Sequence, residues 1–228
     1  MLLDQCERDG EEYLRVWSPT SDFVVLGRGN NADLEVDLSV CRERGIPVLR
    51  RISGGGAVVL GHGCLCYSLV LRMDTAPELI SAQSANGWIL RRSARVLGAA
   101  SGREVEIMGD SDLTVAGRKI AGHAQRRRRH ALLLHGSVIL DFKKDCMPEL
   151  LRVPSRMPLY RAKRKHLSFV INLGCEEDAV KHELRKEWQA VTNGRLDEAF
   201  VRLRAEQDYG RSTWCIVAGE PHRRCAKV

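Results

Sequence analysis

The sequence predicts an α+β fold: a mixed or antiparallel sheet flanked by helices. Three observations predict it. Apolar runs of strand length, such as residues 64–73 and 131–142, accompany one long amphipathic helical pattern at 81–98. Ala116-Gly117 separates two strand-like runs at the spacing of a tight hairpin, which an antiparallel pair needs. Strands and helices do not alternate strictly, so a doubly wound parallel sheet is not expected. The chain has 228 residues, 44% of them hydrophobic and 29% charged, enough to bury a core without staples.

In chain order, residues 1–10 read as a short helix with Leu2, Leu3 and Cys6 on one side. Residues 13–17 and 23–26 read as strands, and Gly27, Gly29, Asn30 and Asn31 as a loop. Residues 33–44 carry Leu34, Leu38 and Cys41 at helical spacing and stop at Gly45. A short strand at 46–49 leads into Gly54-Gly55-Gly56, and an apolar strand follows at 57–60. Residues 64–73 form the next strand. The helix at 81–98 places Ile89, Leu90, Ala94 and Leu97 on one face. A strand at 104–107, a hairpin of 112–115 with 118–124, and a long strand at 131–142 come next. A short helix at 147–151 precedes Pro154 and Pro158, which mark a surface crossing. Helices at 176–191 and 196–207, a strand at 213–217 and a basic tail complete the chain.

Composition narrows the function. No apolar run approaches the ~20 residues of a spanning helix. Residues 1–12 lack the basic flank and apolar stretch of a signal peptide, so a cytoplasmic location without membrane contact is expected. The eight cysteines include no C-x-x-C pair and read as reduced thiols; no metal site is expected from them. A net charge of +7 permits an acidic or phosphorylated partner. Aromatics are only 5%, without the interleaving that a nucleic-acid binder uses.

Three constellations carry chemistry. Arg50-Arg51-Ile52-Ser53-Gly54-Gly55-Gly56-Ala57-Val58 joins two fixed cations to a triple glycine that lets a ligand approach the backbone. Its spacing fits neither a Walker A loop nor a dinucleotide fingerprint, and a solvated turn is the bland alternative. Asp112 and Lys119 flank the second hairpin; simple alternation puts Lys119 and Ala121 on one face and Arg118, Ile120 and Gly122 on the other. Taken alone, Lys119 reads as an edge lysine or an inward cation, and Asp112 as a turn cap or a partner of a metal–phosphate group. The third is Gln125 and Arg126 to Arg129, followed by Leu132 to Gly136 with His135.

In this order, Arg-Arg-x-Ser-Gly-Gly-Gly-Ala-Val, Gly-x-Leu-x-Tyr-Ser (63–68), Ser-Asp-Leu…Gly-Arg-Lys-Ile-x-Gly-x-x-Gln (111–125) and His-Gly-x-x-x-Leu-Asp (135–141) resemble the lipoate–protein ligase A family. That family belongs to the biotin/lipoate A/B protein ligase superfamily. The resemblance spans about residues 1–173, the expected catalytic domain. Residues 174–228 are expected to be a helical extension of it, not a separate accessory domain. It implies a biotin–protein-ligase-like, class II synthetase-like fold. It also implies activation of lipoate or octanoate by ATP, with magnesium, to an acyl-adenylate. Transfer to a lysine of a lipoyl domain follows, in a 2-oxoacid dehydrogenase E2 or a glycine cleavage H protein.

By that resemblance, Lys119 is the essential lysine at the acyl carboxyl and α-phosphate, where negative charge builds up. Arg51, Ser53, Gly54, Gly55, Gly56 and Ala57 hold the adenylate and the start of the acyl chain. Asp112 lies near the phosphates and magnesium, and His135 lines the acyl pocket. The sequence departs from the family at Leu60-Gly61, where His-Asp is usual, and at Cys64 and Cys66, where asparagines are usual. A usual N-terminal strand and an accessory domain are not evident, which leaves room for upstream residues or a separate accessory subunit. It also sustains an alternative: an octanoyl or lipoyl transferase that takes its acyl group from a carrier protein without ATP. Such transferases need a nucleophilic cysteine beside the lysine; Cys64, Cys66 and Cys146 are the candidates. Arg127 and Arg129, one half of the arginine run, are expected to dock an acidic acceptor.

Overall fold

A computed structural model describes residues 1–154, 157–194, 198–209 and 214–217. The chain divides into two compact units: 1–19, 62–143 and 157–194 form the larger, and 20–61, 144–156 and 195–228 the smaller.

The larger unit begins with α1 (Leu2–Asp9), ended by Gly10 in the left-handed region, and β1 (Tyr13–Trp17). In the smaller unit come β2 (Phe23–Leu26), α2 (Ala32–Glu35), α3 (Leu38–Glu43), β3 (Val48–Arg50) and β4 (Val58–Leu60). The single helix expected at 33–44 is thus two. Val36 is extended and bridges Leu151, and the Asp37 carboxylate accepts from the Ser39 and Val40 N–H groups, starting a new helix. The smaller unit also holds α5 (Met147–Leu150), α8 (Glu198–Arg204) and β10 (Cys215–Val217). Its sheet runs β10-β3-β2-β4, with β2 and β3 parallel and the other pairs antiparallel. The expected basic tail lies outside the described residues.

The larger unit continues with β5 (Cys64–Arg72), α4 (Ala82–Ser101), β6 (Glu106–Met108), β7 (Asp112–Val115), β8 (Arg118–Arg127) and β9 (Ala131–Ile139). Ser81 caps α4 and Gly102, at φ +66°, ends it. A one-turn helix, α6 (His166–Phe169), was not legible in the sequence. Helix α7 (Glu177–Glu187) is shorter than the 176–191 expected. The six strands pair antiparallel in the order β1-β5-β9-β8-β7-β6.

Strand alternation gives this sheet two unlike faces. One carries Leu65, Leu69 and Leu71 of β5 with Val138, Leu134 and Leu132 of β9. It packs against Ile89, Leu90, Val96 and Leu97 of α4 in the main core. The other face carries Cys66, Ser137, Gly122 and Asp112 in one cross-strand row. Ser68, His135 and Ala124 form the row beside it. Small and polar side chains dominate these two rows, in contrast to the apolar rows packed against α4.

Candidate active site

The site is built on the second face. In the β7–β8 pair, Leu113 opposes Ala121 and Thr114 opposes Lys119, so β8 carries one extra residue at this point. A bulge of this kind reverses the alternation beyond it. Lys119 therefore joins the face of Asp112, Thr114 and Gly122, not that of Ala121, as simple alternation would have it. The bulge aims the lysine at the carboxylate: Lys119 Nζ lies 2.7 Å from Asp112 Oδ1.

Gly122 makes the room. A Cβ there would stand 2.6 Å from Lys119 Nζ, 2.8 Å from its Cε and 3.3 Å from Asp112 Oδ1. The lysine side chain thus lies across the strand over a residue without a side chain. Its backbone is fixed too. Lys119 bridges Val170 in parallel, and its carbonyl accepts from Ile171 N–H at 2.9 Å.

Asp112 is 8% exposed and uses both oxygens. Its Oδ2 accepts from the Tyr160 hydroxyl at 2.6 Å, while Oδ1 faces Lys119. Burial and the carboxylate together push the Tyr160 phenol well above its ordinary range, so it stays a donor. Asp112 Oδ1 thus belongs to an ion pair with Lys119. Among the described residues no cluster of three His, Cys, Asp or Glu side chains could hold a metal ion.

Behind the site, three strands place Tyr67, Gly136 and His123 in one row of the helix-covered face. A Cβ on Gly136 would strike His123 Cδ2 at 2.3 Å, so the glycine lets the two rings meet. The Tyr67 hydroxyl is 2.6 Å from His123 Nε2 and 2.8 Å from Ser93 Oγ. His123 Nδ1 is 3.0 Å from the Ser111 carbonyl. A carbonyl only accepts, so Nδ1 bears the proton and Nε2 accepts from Tyr67. Burial pushes the imidazole down to about 4, which keeps it neutral. The His123 N–H also donates to that carbonyl, at 2.9 Å, so one residue clamps the position just before Asp112 twice.

His135 stands on the site's face, paired with Ser68 and Ala124, and is a diagonal neighbour of Gly122 across β8 and β9. The structure thus brings Lys119, Asp112 and His135 onto one face. Cys66 lies in the Gly122 row, two strands away, but burial pushes its thiol up to about 12. Burial also raises the Cys146 thiol, which belongs to the smaller unit.

The glycine loop also belongs to the smaller unit. Arg51 does not present a free cation there, as its sequence context suggested. Its Nε and Nη2 donate to the Gly54 carbonyl at 3.1 and 2.7 Å, Nη2 to Gly56 at 2.9 Å, and Nη1 to Val25 at 3.2 Å. With its donors taken up by carbonyls, Arg51 shapes the loop, and burial lowers it to about 10. Arg50 similarly gathers the carbonyls of Gly27, Arg28 and Asn30. Gly55 adopts φ +94°, and a Cβ on it would come within 2.7 Å of Arg51 Nη2. Gly54 and Gly56 border open space. Ser53 is 1% exposed, and its carbonyl accepts from Arg28 N–H. Ala57 leads into β4.

The arginine run divides by face. Arg127 points to the helix-covered side and donates to the Leu79 and Ile80 carbonyls at 2.8 and 2.7 Å. Arg126 follows Ala124 on the site's face, and Arg129 is exposed. Sequence reasoning missed Tyr160, Arg161 and His123. Tyr160 and Arg161 stand in a polar segment without periodicity, and His123 occupies a variable position within the Gly-x-x-Gln motif.

Comparison with known proteins bears on the family and the fold. The model of the lipoyl protein ligase A/B catalytic domain matches residues 1–186. The octanoyltransferase LipM of Moorella thermoacetica is 31% identical over 225 residues, covering 90% of this chain and 79% of the relative. The lipoate–protein ligase LplJ of Bacillus subtilis is 28% identical over 145 residues, 64% of this chain and 42% of the relative. Among solved structures, a chain from the bi-partite lipoate protein ligase system of Thermoplasma acidophilum superposes with a TM-score of 0.75 at 23% identity. That match covers 90% of this chain and 83% of the other. A lipoate–protein ligase A bound with ATP gives 0.73 at 21%, covering 93% and 90%. These two likenesses speak for the fold. With a family model over most of its length and a relative matched nearly end to end, the chain belongs to the lipoyl protein ligase A/B catalytic domain family.

Proposed function

We propose that the chain transfers an octanoyl or lipoyl group from an activated donor to the lysine of a lipoyl domain, and that the donor is a carrier-protein thioester used without ATP. The observation that carries acyl transfer is Lys119, held by a bulge over Gly122 with its charge on the face of the sheet that carries Asp112 and His135. A fixed cation there suits the oxyanion that develops as an amine attacks an acyl carbonyl. The thioester donor is supported by the octanoyltransferase relative, which matches 90% of this chain. Cys66 is the cysteine best placed to carry the acyl group, in the same row as Gly122. The acceptor would be a lipoyl domain; the Thermoplasma system was solved with an E2 lipoyl domain.

A second reading, ATP-dependent ligation, is favoured by the state of the thiols. Cys66 is held protonated by burial, whereas an acyl-adenylate needs no thiolate. The ATP-bound ligase fold is consistent with it. If ATP is a substrate, Lys119 would meet its α-phosphate, and magnesium would arrive with the nucleotide near Asp112. One experiment separates the readings. Apo lipoyl domain is incubated with octanoyl-carrier protein, or with octanoate or lipoate plus ATP, and its intact mass is read. Modification from the thioester alone, lost in Cys66→Ser, supports the transferase. Modification only with ATP, unaffected by Cys66→Ser, overturns it in favour of the ligase.

A further inference from the structure

A buried polar network runs along the helix-covered face of the larger unit's sheet, within its apolar core. Ser93 of α4, Tyr67 of β5 and His123 of β8 are all buried there. Ser93 Oγ lies 2.8 Å from the Tyr67 hydroxyl, and that hydroxyl lies 2.6 Å from His123 Nε2. His123 Nδ1 lies 3.0 Å from the Ser111 carbonyl. The carbonyl sets the tautomer of the ring: it can only accept, so Nδ1 keeps the proton and Nε2 is left to accept from Tyr67. Apolar side chains would fill this space without the cost of burying three polar groups. What a satisfied polar network adds is a single fixed geometry.

The network ends where the site begins. Ser111 closes the turn between β6 and β7, and Asp112 opens β7. The Ser111 carbonyl belongs to the rigid peptide plane that ends at the Asp112 Cα. His123 holds that carbonyl twice, through its backbone N–H at 2.9 Å and through its ring. Asp112 in turn holds Lys119 Nζ at 2.7 Å with one oxygen and accepts from Tyr160 with the other. One imidazole thus ties the helix-covered side of the sheet to the ion pair on the opposite side.

We propose that His123 is a positioning residue for acyl transfer. Its Nδ1–H, in the tautomer supported by Tyr67, holds the Ser111–Asp112 peptide so that Asp112 keeps the Lys119 ammonium where the acyl carbonyl reacts. This rests on the acyl-transfer reading and holds for either donor. A ring that merely filled the core would need neither nitrogen.

The test separates the two nitrogens. An asparagine amide nitrogen falls close to the place of Nδ1, and a glutamine amide nitrogen close to that of Nε2. His123→Asn can therefore still donate to Ser111, whereas His123→Gln reaches toward Tyr67. Both remove the ring and should lose similar stability. With the full chain and an apo lipoyl domain, His123→Gln should lower kcat about tenfold or more with KM within about twofold, and His123→Asn should keep kcat within about threefold of the parent. Tyr67→Phe, which leaves the core filled, should also lower kcat. Nitrogen NMR of the imidazole reads the clamp without activity: in the unmodified protein Nδ1 should carry the proton. Equal kcat losses in the two His123 variants, or a proton on Nε2 in the unmodified protein, overturns the proposal. If the His123 variants do not fold, a parental kcat in Tyr67→Phe overturns it. No acyl transfer by the unmodified protein from either donor sinks the reading beneath it, and the spectrum tells that failure from a missing clamp.

Discussion

Lys119 sits in a strand, yet its charge is directed by one ion pair and one missing side chain. Replacing it with Ala leaves Asp112 with the Tyr160 hydroxyl, and the side chain removed is only partly buried. The fold should survive, with Tm within a few degrees of the parent. Acyl transfer should fall by roughly 10²-fold or more, because the lost cation acts where charge develops. Single-turnover modification of a lipoyl domain, with circular dichroism as the control, checks both halves. Near-normal turnover would remove Lys119 from the site. At Gly55 the constraint is different: φ is +94° and Arg51 Nη2 stands where a side chain would go. Gly55→Val should distort the loop and abolish donor binding, and normal affinity by calorimetry would exclude the loop from the cradle.

At the scale of elements, the β8 bulge decides which face receives the lysine. Its test is Gly122→Ala. The added Cβ meets the mobile end of Lys119 and not backbone, so stability should change by less than about 1 kcal/mol. The ammonium must move off Asp112, however, and the rate should drop about tenfold or more, chiefly in kcat. A Gly122→Ala protein with unchanged kcat would show that the position of Lys119 over this strand is immaterial. The same element divides the arginines. Arg127→Glu leaves two carbonyls without their donor and should cost about 1–3 kcal/mol in urea unfolding. We propose that acceptor docking rests on Arg126 and Arg129 instead. Reversing these two should slow lipoyl-domain modification most at low ionic strength, and equal rates at low and high salt would refute that role.

For the whole molecule, buried histidine links stability to pH. His123, pushed down to about 4 in the folded protein, stays neutral where the unfolded chain, near 6.5, takes up a proton. Below pH 6.5 the unfolded state therefore binds more protons, and stability falls as pH drops toward 4, then levels off. The loss attributable to His123 is on the order of 3 kcal/mol across that window. His166, also lowered to about 4 by burial, acts in the same direction. Urea titrations at pH 7, 6 and 5 should show this slope, and His123→Gln should flatten part of it. An identical slope in the variant would place the linkage elsewhere.

Much was legible because it depends on local pattern. Strand and helix periods marked β5, α4, the β7–β8 hairpin and β9, and motif order marked Lys119, Asp112 and His135. Such features rest on near neighbours in the chain, whose spacing is printed in the sequence. The long-range partners were not legible. The extra residue in β8 is defined only by what stands opposite it, so the face of Lys119 could not be counted from alternation. Arg51 and Arg127 read as free cations until distant carbonyls came within reach of them. Tyr160 lies 48 residues from Asp112, and nothing in its own segment signals that hydrogen bond. Hydrogen-bond partners and burial are properties of packing, and packing joins residues that the sequence keeps apart. The sequence by itself determined the family, the elements and the chemistry-bearing residue types; the tertiary structure alone decided which charges are already satisfied and which still face the site.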